Sequence, residues 1–360
     1  MRCIRSMNKP NNINNKNFLL YMNNTKETIV QKLASRVPFK NAIIPTRYKR
    51  SGNNSTWSKS FIAEEGKELE ALSKIFDLTV TTKMRELFKA ATSGDGDERS
   101  KIVTLHSSSL LAFLSFFDVS NHPITIDKRQ YNEVMFEVKN DVIDASLGKP
   151  SNIDVLLMGE NRKKLLFLES KFTEYLSGGK VFLSPDRYKY FYELLSEKLE
   201  LPFIASFDKV KHKPNKSHSE PFETEEYCLK TKERTSEYLG GIKQAFSHLL
   251  GIATGPAKKQ TKGNEDYTSS LLENADEIKF ASIVFNCDND KFDDYKILYE
   301  SVFENSNVIK DTIKDVLKKR ELKLTIVPHL LQYQEVFQGN FLHEKVREFY
   351  RVANATSAKS

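Results

Sequence analysis

The chain has 360 residues, of which 39% are hydrophobic and 29% are charged, and its formal net charge is +7. This composition is typical of a soluble globular protein with length for one large domain or two small ones, and the basic balance is compatible with a polyanionic partner. No run approaches about 18 apolar residues and the N-terminus has no apolar signal core, so neither a membrane-spanning helix nor secretion is predicted. Three widely spaced cysteines favour a reducing, cytoplasmic setting over a zinc site.

Residues 1–60 are predicted to form a flexible arm. The first 25 of them are rich in asparagine and poor in aromatic side chains, a composition typical of poorly ordered chain. A basic cluster follows within residues 38–60, and it comprises Lys40, Arg47, Lys49 and Arg50. This cluster is either a solvated connection or an arm that lies on a phosphate backbone. Residues 61–355 are predicted to form the main domain, with its core at about 105–335.

Helices are predicted where apolar residues recur at helical spacing. They lie over residues 61–91, 110–117, 185–199, 236–252, 291–320 and 341–353. The first of them is an N-terminal extension to the core. The second is apolar all round and is therefore expected to be buried, and Ser107, Ser108 and Ser109 offer N-cap oxygens for it.

Strands are predicted from alternating patterns or from short apolar runs. They lie over residues 130–142, 150–158, 165–172, 278–286 and 322–327. The polar stretch between the second and third strands predicts a hairpin turn. Residues 206–232 are first basic and then acidic, and we expect them to form a solvated loop.

The middle of the chain therefore has the order helix, three strands, helix, strand. Three consecutive strands joined by short turns are expected to be antiparallel, and the later strand, which follows a helical crossover, is expected to be parallel to a neighbour. The predicted fold is α/β, with a mixed central sheet flanked by helices.

A Glu-x-Lys pair places both side chains on one face of a strand. The chain has five such pairs, so the pair alone predicts no site. Only Glu169 and Lys171 end an apolar strand that follows a second apolar strand carrying a lone acid, Asp154. The two acids are expected to be adjacent across the ladder. The spacing leaves two interpretations open, a metal site or a cross-strand Asp154–Lys171 salt bridge worth at most about 1 kcal/mol if exposed.

The metal interpretation has a chemical reason. Mg²⁺ takes oxygen ligands, usually one or two carboxylates, and leaves its other positions to water and a substrate phosphate. Asp154 and Glu169 would supply the carboxylates, with the backbone carbonyl of Ser170 as a further ligand. Lys171 would orient the attacking water or stabilise the charge that grows on the phosphate in the transition state.

Asp154 lies fifteen positions before Glu169-Ser-Lys171, within this order of elements. This combination resembles the pattern of the PD-(D/E)XK nuclease superfamily. Within it, the chain is similar to bacterial families described as restriction endonucleases, through Ser107–Phe113, Phe136-Glu137, Asn152–Asp154 and Glu169–Glu174. The resemblance covers residues 105–335 or so. One position departs from the motif, because Pro150 lies four residues before Asp154 and not directly before it.

The resemblance implies Mg²⁺-dependent hydrolysis of DNA, with Mn²⁺ able to substitute, in restriction or defence. Asp154 and Glu169 carry over as metal ligands and Lys171 as the catalytic lysine. The superfamily often adds an upstream acid, for which Glu137 is the candidate and Glu133 the fallback. Many members also place a Gln or Lys on the helix after the motif, a position that Gln244 fits. Cutting both strands of DNA needs two active sites, which a homodimer would supply.

Two other functions stay open. A DNA-binding or assembly subunit could keep this fold without cleaving, although intact Asp154, Glu169 and Lys171 argue against it. A glycoside hydrolase could use two carboxylates but would leave Lys171 unexplained. The histidines show no metal-ligand spacing, and His248 is expected to be an ordinary helix-face residue.

Overall fold

A computed structural model describes residues 26–36, 39–45, 59–93, 101–178, 180–214, 219–232, 238–337 and 343–350. The predictions for residues 1–25 and for most of the basic cluster lie outside the described residues. No helix in the described ranges is long and apolar enough to cross a membrane.

We number the elements of the described residues in chain order. The helices are α1 (Lys26–Ala34), α2 (Glu68–Phe76), α3 (Thr82–Ala91), α4 (Ser108–Phe116), α5 (Pro185–Lys198), α6 (Leu239–Thr254), α7 (Ser269–Asn274), α8 (Asp290–Phe303), α9 (Ser306–Leu317), α10 (Tyr333–Val336) and α11 (Glu344–Tyr350). The strands are β1 (Ile43–Pro45), β2 (Lys59–Phe61), β3 (Ile124–Ile126), β4 (Arg129–Tyr131), β5 (Glu133–Asn140), β6 (Ser151–Gly159), β7 (Lys164–Lys171), β8 (Val181–Phe182), β9 (Phe203–His212), β10 (Phe222–Thr231), β11 (Glu277–Val284), β12 (Thr325–Ile326) and β13 (Leu331–Gln332).

The central sheet has the strand order β12-β11-β7-β6-β5, and β13 also pairs with β11. Strands β5, β6 and β7 are antiparallel to one another, whereas β11 is parallel to β7. The predicted mixed α/β sheet is therefore confirmed, as are the hairpin and the parallel crossover strand. The turn between β6 and β7 holds Glu160, Asn161 and Arg162 at positive φ, which lets the two strands reverse tightly.

Helices cover both faces of this sheet. On one face, α4 packs the ring of Phe113 at 5.7 Å from that of Phe136 on β5. On the other face, α6 places the ring of His248 at 6.1 Å from that of Phe280 on β11. Because β6 and β7 lie between these two layers, both of their faces are shielded from water, and their apolar runs are continuous rather than alternating.

Three predictions differ from the structure. The predicted helix over residues 61–91 is two helices, because Asp77 adopts a left-handed φ of 56° and ends α2. The predicted helix over residues 291–320 is likewise divided into α8 and α9. The solvated loop predicted for residues 206–232 is wrong for its described part, since β9 and β10 form a long hairpin. Its basic and acidic runs face each other across the ladder, as the Lys209–Glu223 ion pair shows.

Part of the predicted flexible arm is also ordered. In α1, Val30 and Leu33 are buried. The ring of Phe39 lies 5.7 Å from that of Phe76 and 5.1 Å from that of Phe349 near the chain's other end. Aromatic pairs of this kind add stability beyond that expected from the buried area alone. The described part of residues 26–45 therefore belongs to the folded domain.

Helix α6 lies unusually close to the start of β6. A Cβ atom added at Gly251 would lie 2.7 Å from the Oγ atom of Ser151 and 3.0 Å from the Cβ atom of Asn140. Real Cβ atoms do not approach other atoms so closely, so the spacing of helix and strand depends on glycine at this position.

We therefore predict that Gly251→Ala destabilises the protein. Alanine improves helix propensity by about 1 kcal/mol, but forcing α6 away from β6 should cost about 1–3 kcal/mol and outweigh that gain. Chemical denaturation measures the change in the free energy of unfolding. The same substitution at the exposed Gly178 is the control, and equal effects of the two substitutions would refute the close-contact argument.

Candidate active site

The hairpin of β6 and β7 brings Asp154 and Glu169 together on one face of the sheet. Its ladder runs from Gly159 opposite Lys164 to Val155 opposite Leu168, so it ends one residue short of Asp154 and Glu169. The backbone N–H of Ser170 donates a hydrogen bond of 2.7 Å to Oδ2 of Asp154. The predicted adjacency of the two acids is thus confirmed.

Lys171 holds Glu169 from the end of β7. Its Nζ atom donates to Oε1 of Glu169 and, at 3.3 Å, to the backbone carbonyl of Ser170. The side chains of Lys171 and Glu169 are only 6% and 2% exposed. The salt-bridge partner of Lys171 is therefore Glu169 and not Asp154, and the pair is buried rather than exposed.

His248 is a further member of the site, and the expectation that it is an ordinary helix-face residue is wrong. Its Nε2 atom lies 2.7 Å from Oε2 of Glu169, and its Nδ1 atom lies 3.3 Å from Oγ of Ser151. The approach of Nε2 to Oε2 is outside hydrogen-bond geometry, so both atoms are buried without a hydrogen bond. The signal in the sequence was the place of this polar ring beside Ala245 and Leu249, on the apolar surface of α6.

Residues with hydroxyl groups border the site on the side of β11 and α8. Ser282 is paired with Glu169 in the parallel ladder and is fully buried. Tyr238, just before α6, packs its ring at 5.2 Å from that of Tyr295. The site is thus a polar interior lined with groups able to donate hydrogen bonds.

The pKa values of the two acids are pushed apart. Burial raises the pKa of Asp154 well above 3.8, and the negative charge of Glu169 adds to this rise. Burial acts in the same direction on Glu169, but the positive charges of Lys171 and His248 outweigh it and lower the pKa of Glu169 to about 2. Burial acts to lower the pKa of Lys171, but the combined attraction of the surrounding acidic groups, with Glu169 the strongest, outweighs it and raises that pKa well above 10.5.

These shifts assign different states to neighbouring groups. At neutral pH, Glu169 is ionised and Lys171 is protonated, while Asp154 is the acid that holds a proton more readily. Such a division between adjacent titratable groups is frequent where acid–base or metal chemistry takes place.

Ser170, the third predicted metal ligand, has its groups divided between the two faces of the sheet. Its carbonyl oxygen accepts from Lys171, as described above. Its hydroxyl group lies on the face of α4, 2.8 Å from the hydroxyl of Tyr333.

The two predicted upstream acids, Glu133 and Glu137, occupy different positions on β5. Glu133 is at the far end of β5, opposite Met158, and forms an ion pair with Arg162. Glu137 is buried in β5 with a φ of 55°, and the ladder between β5 and β6 pairs the residues on either side of it but not Glu137 itself. The negative charges that raise the pKa of Asp154 are those of Glu169 and Glu174.

Gln244, the predicted helix residue, lies on α6 one turn before His248 and is half-buried. The structure therefore brings Asp154, Glu169 and Lys171 together, places Gln244 on the helix that covers them, and adds His248.

Among the described residues, no three side chains of His, Cys, Asp or Glu form a ready-made metal site. Asp154 and Glu169 nevertheless retain acceptor capacity, because an ionised carboxylate offers about four lone-pair positions, and Asp154 keeps partial exposure to solvent. Comparisons with protein-family models, with curated proteins and with solved structures give no match to this chain.

We predict that Asp154→Asn raises the melting temperature at pH 7.5. Since the folded-state pKa of Asp154 is raised, its ionisation destabilises the folded protein as the pH rises from 3.8 through that pKa. Asparagine avoids this loss and can still accept from the N–H of Ser170.

The measurement is thermal unfolding between pH 3.5 and 8, as a series of roughly half-unit steps across the window in which this linkage acts. The gain should shrink as the pH falls towards 3.8. The exposed Asp294 on α8 is the control, since Asp294→Asn removes the same charge. A gain that is equal in both variants, or no gain for Asp154→Asn, would contradict the raised pKa.

Proposed function

We propose that the protein is a metal-dependent endonuclease that hydrolyses phosphodiester bonds of DNA, on a PD-(D/E)XK-like core. The observation that carries this proposal is the convergence of Asp154, Glu169 and Lys171 on one face of the sheet, at the end of the β6–β7 hairpin. The order α4, β5, β6, β7, α6, β11 agrees with the arrangement that the resemblance implies, and the β8–β10 sheet with α5 is an insertion within it.

The donor set fits Mg²⁺ or Mn²⁺. These ions bind through one or two carboxylates and keep other positions for water and substrate phosphate, and Asp154 and Glu169 supply two carboxylates. Asp154 and Glu169 would hold the ion, with the carbonyl of Ser170 beside them. The bound ion would supply a water of lowered pKa and would neutralise charge on the phosphate.

The side chains of the chain itself supply the remaining functions. Glu169 stays ionised because Lys171 and His248 flank its two oxygens. Lys171 is a fixed positive charge, held by Glu169 and the carbonyl of Ser170, and is suited to stabilise a phosphate oxygen in the transition state. Burial excludes bulk water and strengthens this interaction.

One observation favours the alternative of a non-cleaving DNA-binding or assembly subunit. Both oxygens of Glu169 already lie against side chains of the protein, Lys171 and His248, an arrangement that a buried structural ion pair would also adopt. The two functions differ in one measurable property, the cleavage of nucleic acid.

We predict that the protein nicks or cuts supercoiled plasmid DNA with Mg²⁺ or Mn²⁺ and that EDTA abolishes this activity. Lys171→Met keeps the length of the side chain but removes its charge, so the rate should fall by about 100-fold or more. Binding of DNA, measured by fluorescence anisotropy in Ca²⁺, should persist.

Lys279→Met is the matched control. Lys279 belongs to another Glu-x-Lys pair, on the adjacent strand β11, and it forms ion pairs with Asp127 and Glu277. This variant should cut like wild type once its fold has been checked by circular dichroism. Equal cleavage rates for both lysine variants would refute the catalytic role of Lys171. A wild-type protein that binds DNA but cuts neither DNA nor RNA would favour the non-cleaving subunit.

The proposal extends to the biological setting. A role in restriction or defence, and a homodimer that places two sites on opposite DNA strands, are the setting and assembly that the resemblance implies.

A further inference from the structure

His248 joins three elements of the site. It is carried by α6, its Nδ1 atom faces Ser151 at the start of β6, and its Nε2 atom faces Glu169 near the end of β7. Its side chain is buried almost as deeply as that of Glu169. Both ring nitrogens thus face oxygen atoms of the protein, and Glu169 stands between His248 and any ligand of the two carboxylates.

The position of the imidazole is fixed from several sides. Gly251, one turn further along α6, allows the helix to approach Ser151. The preceding residue, Ser247, has its hydroxyl 2.8 Å from that of Tyr188 on α5. Phe280 lies beside the ring on β11, as described above. Because these contacts come from separate elements, the ring has little freedom to turn or withdraw.

Glu169 needs this second contact. Lys171 holds Oε1 alone, and a carboxylate held through one oxygen can rotate about its last side-chain bond. The imidazole of His248, 2.7 Å from Oε2 on the opposite side, restricts that rotation, and its contact offsets part of the cost of burying a carboxylate oxygen that accepts no hydrogen bond.

We propose that His248 is a positioning residue, which holds Oε2 of Glu169 so that the carboxylate keeps a single orientation beside Asp154. This inference rests on the proposed function in so far as that orientation serves metal binding. Partners that orient a metal-binding carboxylate typically contribute about 10- to 100-fold to metal affinity or activity.

Two substitutions separate the two ring nitrogens. His248→Gln places an amide near the position of Nε2, where it can reach Glu169. His248→Asn places its amide near the position of Nδ1, where it can reach only Ser151. A positioning role through Glu169 is therefore rescued by glutamine, whereas a packing role or a role through Ser151 is served at least as well by asparagine.

The first measurement is the Kd of Mn²⁺ alone, by isothermal titration calorimetry of the full chain. We expect His248→Asn to weaken binding by about tenfold or more and His248→Gln to stay within about threefold of wild type. The cleavage rate should follow the same order. If asparagine binds Mn²⁺ like wild type, or if glutamine is no better than asparagine, the positioning role is overturned.

The second measurement does not depend on metal or activity. A double-mutant cycle of Glu169→Gln with His248→Asn, followed by chemical denaturation, should show non-additive changes in the free energy of unfolding. Additive changes would overturn the contact between the two residues. A wild-type protein that binds no Mn²⁺ would refute the proposed function, and the cycle would then still decide whether His248 holds Glu169.

Discussion

Glu169 carries its charge inside the protein, where an isolated carboxylate would cost several kcal/mol. Two groups offset this cost from different directions, Lys171 on the same strand and His248 on the covering helix. Neither group could be removed without leaving one oxygen of a buried carboxylate uncompensated. The close docking of α6 on β6, the glycine at position 251 and the buried hydroxyl group of Ser282 on β11 are all consistent with this requirement.

The same interaction explains the unequal behaviour of the two acids. Lys171 and His248 both contact Glu169, whereas Asp154 accepts one backbone N–H and is repelled by Glu169 more strongly than it is attracted by Lys171. It also keeps the partial exposure that Glu169 has lost. The site thus combines a fixed, ionised carboxylate in the interior with a second carboxylate that keeps partial exposure to solvent.

Local pattern was sufficient for much of this arrangement. The apolar runs on both sides of the turn at Gly159 predicted the hairpin, and the antiparallel register then brought Asp154 to Glu169. The helical crossover predicted a parallel β11. These features depend on residues that are near in sequence or on the general handedness of chain connections, so a single sequence contains enough information to find them.

Other features depend on contacts between distant segments. The role of His248 follows from the docking of α6 on the sheet. Gly251 permits this docking, but a glycine in the sequence does not by itself predict it. The β9–β10 hairpin was hidden because the half of it that carries Lys209, Lys211, Glu223 and Glu225 is charged and exposed, a pattern that also suits a loop. The break at Asp77 depends on one residue in a left-handed conformation, which a helical pattern on both sides of it does not reveal.

The insertion between β7 and α6 has a consequence for how the molecule folds. His248 and Ser151 are 97 positions apart in sequence, and the whole β8–β10 sheet with α5 is encoded between β7 and α6. The hairpin of β6 and β7 closes a short loop and can form early, whereas α6 docks only after a large loop has been closed at an entropic cost. We therefore expect the Glu169–His248 contact to form late in folding, after the contact between Glu169 and Lys171.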